Sequence, residues 1–341
     1  MKTILTLAAT LLLAYGSTAA PNAVPACDDT GTVVHTAKPR RVKGSERLVT
    51  RDLGRIGAYE VLYVSDGIEA VVSAAVSTLV ITADDNVIDR IVTRSITDCT
   101  VCAVIPASAA LRTLEAESMG TIRCEVPLGN GPVTVRSSEG SRIAADIRTG
   151  DDIRVHVSGC SRFEGALKGN NCKITVTEGS QTDTRIEASG ICRVDVSASS
   201  RASGSLKAHH CALSLTEGSV ADMPVTSTGE STLVISSSSR FNGALKGNNC
   251  KISVTEGSVF DAPLTCEVHG EIILDASGHF AGDASAGNSL HIKAANGSVM
   301  QGNADADVVL VHATASSHYN GSISAAGQAE LKSTDGSVIA G

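Results

Sequence analysis

The segments RFEGALKGNNC (162–172) and RFNGALKGNNC (240–250) lie 78 residues apart and differ at one position. Near-identity over eleven residues at that distance is internal repetition, and a repeat has to be read before local structure because it sets the whole fold. Around these segments, Glu139-Gly140-Ser141, Glu178-Gly179-Ser180, Glu217-Gly218-Ser219 and Glu256-Gly257-Ser258 recur every 39 residues. Asn296-Gly297-Ser298 and Asp335-Gly336-Ser337 continue the series at steps of 40 and 39. Ser161, Ser200, Ser239 and Ser317 fall halfway between, so the basic unit is about 20 residues and two units make one longer repeat.

Within each unit apolar residues alternate, as in Val155/Val157, Ile174/Val176, Val194/Val196, Leu213/Leu215, Leu233/Ile235 and Ile252/Val254. A period of two marks a strand with one apolar face. Gly165, Gly204, Gly243, Gly282 and Gly321 follow where the chain must bend without Cβ strain. No helical period is present, and no hairpin dipeptide joins successive strands, so the chain is expected to coil. The expected fold is all-β, a parallel β-helix (β-solenoid) with coils of about 20 residues, stacked about 4.8 Å apart, with an N-terminal strand region capping the solenoid. About eleven coils from Val133 to Gly341 predict a rod section near 50 Å long. Stacking puts the serines in one column, broken near His279, where the coil reads about two residues short.

Composition agrees with a thin rod. Of 341 residues 42% are hydrophobic but only 2% aromatic, with no Trp, and large rings normally fill a wide core. A net charge of −8 and eight aromatics leave neither a phosphate-binding surface nor base-stacking platforms, so nucleic acid is not an expected partner.

Residues 1–19 read as a signal peptide: Lys2, an apolar stretch from Ile4 to Ala14, and Ser17 and Ala19 as the small pair before cleavage. Residues 20–44 read as a flexible linker, 45–132 as an N-terminal β region continuous with the solenoid, and 133–341 as the repetitive solenoid. Export to the periplasm or the cell surface follows, with no transmembrane segment. Cys27, after Val24-Pro25-Ala26, is an alternative attachment point for an outer-membrane lipoprotein anchor.

The signal peptide, the strand region LVITADDNVIDRIVTRSIT (79–97) and the serial E-G-S and G-x-L-K coils together resemble the head GIN domain family of bacterial envelope proteins, described as candidate auto-transporter adhesins. The resemblance covers roughly Ser45 to Gly341. It implies a β-helical, surface-exposed protein with an adhesive or scaffolding role, and it brings no catalytic residues. An autotransporter ends in a membrane β-barrel; this sequence ends within a coil at Ser337–Gly341, so self-secretion is not expected.

Candidate chemistry is sparse. Of ten cysteines, Cys172, Cys192, Cys211 and Cys250 share one coil position and face inward by parity, which suits buried thiols first, with disulfides or a metal as alternatives. Cys99 and Cys102 form a CxxC, but residues three apart on a strand point to opposite faces. His209-His210 replaces the Asn170-Asn171 and Asn248-Asn249 pairs and reads as a polar turn rather than a metal site. Lys168/Lys207/Lys246, Arg162/Arg201/Arg240 and the E-G-S glutamates make charged stripes that solubilise a rod and could grip a charged polymer. No catalytic, cofactor-binding or metal residue is assigned and no cofactor is expected. The functional expectation is a non-enzymatic surface adhesin or envelope scaffold that binds a polysaccharide or a host or cell-surface ligand. The alternative is a polysaccharide lyase or hydrolase on a β-helix, disfavoured because the coils carry no inserted loops and no clustered carboxylates. An open last coil would invite pairing with a second copy.

Overall fold

The computed structural model describes residues 4–7, 45–86, 88 and 101–340. The rest of the expected signal peptide, the expected 20–44 linker, Cys27, Cys99 and most of 87–100 lie outside the described residues. The backbone of Ile4–Leu7 pairs in parallel with Val61–Val64.

From Val133 onward every described pairing is parallel, each strand bonding to the strand one coil before and one coil after. Cys172–Val176 lies between Ile153–Val157 and Ile191–Val196, with Ile174 opposite Val155 and Val194. The chain is therefore a β-solenoid of about eleven coils. At the other end, Thr113–Ala116 pairs with Val133–Ser137, and Thr121–Cys124 pairs with Arg142–Ala144. Antiparallel pairing among the described residues is confined to Leu48–Asp52, Val80–Asp84 and Cys102–Pro106.

Alternation buries one residue in two. Val155, Ile174, Val194, Leu213, Leu233, Ile252 and Ile272 stack as one column of the core. A second column holds all four phenylalanines, Phe163, Phe241, Phe260 and Phe280, each with no exposed surface. In-register parallel strands set like side chains directly over one another, so Phe241, Phe260 and Phe280 stack as a continuous pile.

The corner before each serine is where the coil is decided. Two consecutive residues take positive φ in every coil from Ser118-Met119 to Asp335-Gly336. In the E-G-S corners a glycine holds the second of these positions, while Ala198-Ser199, Ser237-Ser238, Ala276-Ser277 and Ala315-Ser316 adopt the same left-handed geometry without one. Such residues carry a steric cost of about 1–2 kcal/mol each, borne because the register above and below fixes the corner.

The serine column follows. Ser141, Ser161, Ser180, Ser200, Ser219, Ser239, Ser258, Ser298 and Ser317 are all buried. The bonding runs chiefly from backbone to hydroxyl, the Ser161 N–H donating to Ser180 Oγ at 3.1 Å and the Ser180 N–H to Ser200 Oγ at 3.2 Å, with a hydroxyl-to-hydroxyl contact from Ser219 Oγ to Ser239 Oγ at 3.5 Å. Ser239 and Ser258 repeat the backbone-to-hydroxyl contact at 3.1 Å. The break near His279 is not a shortened coil. Gly278 occupies the serine position, twenty residues from both Ser258 and Ser298, and a Cβ there would lie 2.1 Å from the Val254 carbonyl oxygen. A serine cannot fit where that carbonyl has moved in. Ser180→Ala removes the acceptor of a buried N–H and is expected to cost about 1–3 kcal/mol. Urea unfolding measures it, and an unchanged midpoint would mean that the Ser161 amide finds another partner.

Candidate functional site

The strands that carry the Val-x-Val alternation present a continuous outer face. Two outward columns run along it in register. The first is Thr134, Arg154, Lys173, Arg193, Ala212, Thr232, Lys251, Glu271, His291 and Leu310. The second includes Arg136 and His156 toward one end and Lys293 and His312 toward the other. Ten rungs at strand spacing give a face about 43 Å long, and no loop is inserted between its coils.

Two hollows lie on this face. One, of about 280 Å³, is lined by Arg136, Arg154, His156, Lys173 and Thr175 among others. The larger, of about 580 Å³, is bordered by Glu230, Thr232, Lys251, His269, Glu271 and His291, with Cys250 and Gly270 on its floor. Their centres are about 25 Å apart along the rod.

The first hollow is cationic. Arg154, Lys173 and Arg193 stand on successive rungs, all exposed, and two of the three are answered locally: Arg154 lies 3.9 Å from Asp152 and Arg193 lies 2.9 Å from Asp195. Among the described residues Lys173 has no carboxylate within ion-pair distance. The second hollow is mixed. Glu271 sits between Lys251 and Lys293, 2.9 Å from each, and their hydrogen bonds hold its carboxyl below the usual carboxylate range. His269 Nδ1 is 2.9 Å from Ser289 Oγ.

The residues singled out in the sequence distribute differently. Arg162, Arg201 and Arg240 lie on another outward column, where Glu164 pairs with both Arg142 and Arg162, and Asp222 pairs with Arg201. Lys168, Lys207 and Lys246 form a further column, with Lys168 3.5 Å from Glu187. Both stripes are separate from the hollows. Two of the E-G-S glutamates are tied to the adjacent coil, Glu139 accepting from Ser118 Oγ and Glu256 from Ser237 Oγ at 2.7 Å.

The histidine pair has a structural explanation. Asn171 Oδ1 accepts the Ile191 N–H at 2.9 Å, and His210 Nδ1 accepts the Glu230 N–H at 3.1 Å, so the imidazole performs the asparagine's task one coil pair later. His209 Nδ1 lies 2.9 Å from Thr228 Oγ1. Among the described residues no group of three or more His, Cys, Asp or Glu is arranged to hold a metal ion. Cys172, Cys192 and Cys211 are buried in register as free thiols. Burial pushes the Cys172 and Cys211 thiols up to about 12 and raises Cys192 further, so they are inert. The Arg154–Lys173–Arg193 row escaped the sequence reading. Its signal was present: superposing IRVHV, CKITV and CRVDV at coil spacing sets the three cations over one another.

No protein-family model matches this chain, and no curated protein matches it. Among solved structures it is similar to one from Parabacteroides merdae described as a "putative adhesin", at 13% identity and a TM-score of 0.33, covering 88% of this chain and 98% of that one. A second structure so described, from Bacteroides fragilis, is 13% identical with a TM-score of 0.27, over 86% of this chain and 100% of the other. A "putative lipid binding protein" from Parabacteroides distasonis is 12% identical with a TM-score of 0.27, over the same shares. Among the described residues no helix is long and apolar enough to cross a membrane.

Proposed function

We propose that this chain is a non-enzymatic, exported β-solenoid that binds an extended anionic polysaccharide along the outer face of its Val-x-Val strands. The carrying observation is the pair of in-line hollows, with Arg154 and Lys173 lining one of them and Arg193 on the next rung. A linear polymer whose charges recur along its length meets a surface whose residues recur at strand spacing. Its carboxylates replace Asp152 and Asp195 around Arg154 and Arg193 and give Lys173 a counter-charge. Hydrolysis or lyase chemistry has no support here: the acids of the face are spread among lysines and arginines, and Glu271 is held ionised by two lysines rather than poised as an acid.

The test is binding of a fluorescent polyuronate to the purified protein. Affinity is expected to fall with added salt, and Arg154→Ala/Lys173→Ala/Arg193→Ala to weaken binding by about tenfold or more. Lys168→Ala/Lys207→Ala/Lys246→Ala, on a different column, should change it little. Equal loss from both triple variants would reduce the interaction to net charge. Release of unsaturated or reducing oligosaccharides would overturn the non-enzymatic reading.

A further inference from the structure

Cys250 and Cys266 sit on either side of one corner, in successive coils, and both are buried. The register sets Cys250 opposite Gly270 and Cys266 opposite Gly247. Each thiol thus has a glycine as its in-register neighbour in the other coil, and each sulfur fills the space left by the missing Cβ of the glycine across the corner in its own coil. A Cβ on Gly247 would lie 2.8 Å from Cys250 Sγ, and one on Gly270 would lie 3.1 Å from Cys266 Sγ. Each sulfur therefore leans across the same corner, Cys250 toward Gly247, which is in register with Cys266, and Cys266 toward Gly270, which is in register with Cys250, so the two thiols cross in adjacent coils. One coil earlier the same corner is spanned by a direct contact, Ser227 Oγ to Ser231 Oγ at 2.5 Å.

We propose that Cys250 and Cys266 form a redox site that closes into a disulfide joining two successive coils. The geometry separates this pair from Cys172, Cys192 and Cys211. Those stack in register, where parallel Cα–Cβ vectors keep neighbouring Cβ atoms about 4.8 Å apart, beyond the roughly 3.5–4.5 Å that a disulfide needs. A diagonal pair escapes that limit because each side chain leans across the corner to the side from which the other starts. Electrostatics agrees: the hydrogen bond between the two thiols holds Cys250 below the ordinary thiol value against the effect of burial, and raises Cys266. Cys250 also lines the floor of the larger hollow, which gives a small disulfide donor a route.

The oxidant is a soluble disulfide, with oxidised glutathione as the probe. The Cys250 thiolate attacks one glutathione sulfur, the glutathione S–S bond breaks, and one glutathione thiolate leaves. The Cys266 thiolate then attacks the Cys250 sulfur and releases the second. Two electrons pass to glutathione, and the two thiol protons end on the departing thiolates.

Folded protein, and protein refolded from urea, are each held with oxidised glutathione, quenched in acid, unfolded, alkylated and mapped by mass spectrometry. The expected result is one cross-linked peptide pair, Cys250 with Cys266, while Cys172, Cys192 and Cys211 carry the alkylating label. The oxidised protein should unfold at a higher temperature and return to the reduced midpoint with dithiothreitol. Cys266→Ala should keep the fold and lose both the cross-link and the reductant-sensitive shift. Full alkylation of Cys250 and Cys266 under both conditions, or cross-links spread equally over the other buried cysteines, overturns the proposal.

Discussion

Gly204→Ala is expected to cost about 3–5 kcal/mol, enough to open the coils on one side of the substitution. Gly204 has φ +117, and an added Cβ would sit 2.0 Å from the Thr184 carbonyl oxygen and 2.6 Å from its carbon. Both atoms belong to the backbone of the neighbouring coil, so relief means breaking the ladder rather than turning a side chain. Two other glycines isolate the cause. Gly257 has φ +67 but nothing within 4 Å, and alanine there should cost about 1 kcal/mol for the dihedral alone. Gly150 has open space and no positive φ, and alanine there should fall within about 0.5 kcal/mol of the parent. Chemical denaturation of the three variants ranks them, and limited proteolysis near residue 204 locates the opening. Equal destabilisation by Gly204→Ala and Gly257→Ala would show that close approach of the coils is not what selects glycine.

Phe260→Ala should be nearly as damaging, at about 3–5 kcal/mol for the deleted ring and its cavity. Phe260 is the middle of the pile: its ring centroid is 5.1 Å from Phe241 at 22° and 4.7 Å from Phe280 at 5°. Each ring contact adds about 0.5–1.5 kcal/mol beyond burial. Phe163 is equally buried in the same column, but its register neighbours are Ile143 and Thr182, so Phe163→Ala loses burial without ring contacts. The difference between the two variants is expected to be about 1–2 kcal/mol. Phe260→Leu, which keeps most of the volume, should cost less than about 1.5 kcal/mol. Thermal unfolding followed by circular dichroism provides the comparison, and an equal loss for Phe163→Ala and Phe260→Ala would mean that stacking adds nothing to burial.

The coil period, the parallel ladder, the serine column and the inward cysteines were legible because each depends only on spacing. A residue repeated every 19 to 21 positions must lie over its counterpart if the chain coils, whatever the details of the coil. The phenylalanine column was legible by the same rule, each ring two residues after the serine position at 161, 239, 258 and 278, though aromatic scarcity drew attention to the rod's thinness instead. Gly278 was missed because a repeat written as Ser hides a glycine that keeps the register. The left-handed corners at Ala198-Ser199 and Ser237-Ser238 left no signal, since their side chains do not announce positive φ and only the neighbouring coils enforce it.

The candidate sites divide along the same line. Repetition along one column is a one-dimensional property, and the sequence by itself determined it: which residues stack, at what spacing, and which face inward. Relations between columns depend on how the chain turns its corners, and only the tertiary structure decided them. The hollows between Arg154 and His156 or between Lys251 and His269, and the approach of Cys250 to Cys266 across two glycines, exist because left-handed corners and a bulge after Gly247 fix the angle between runs that spacing leaves free.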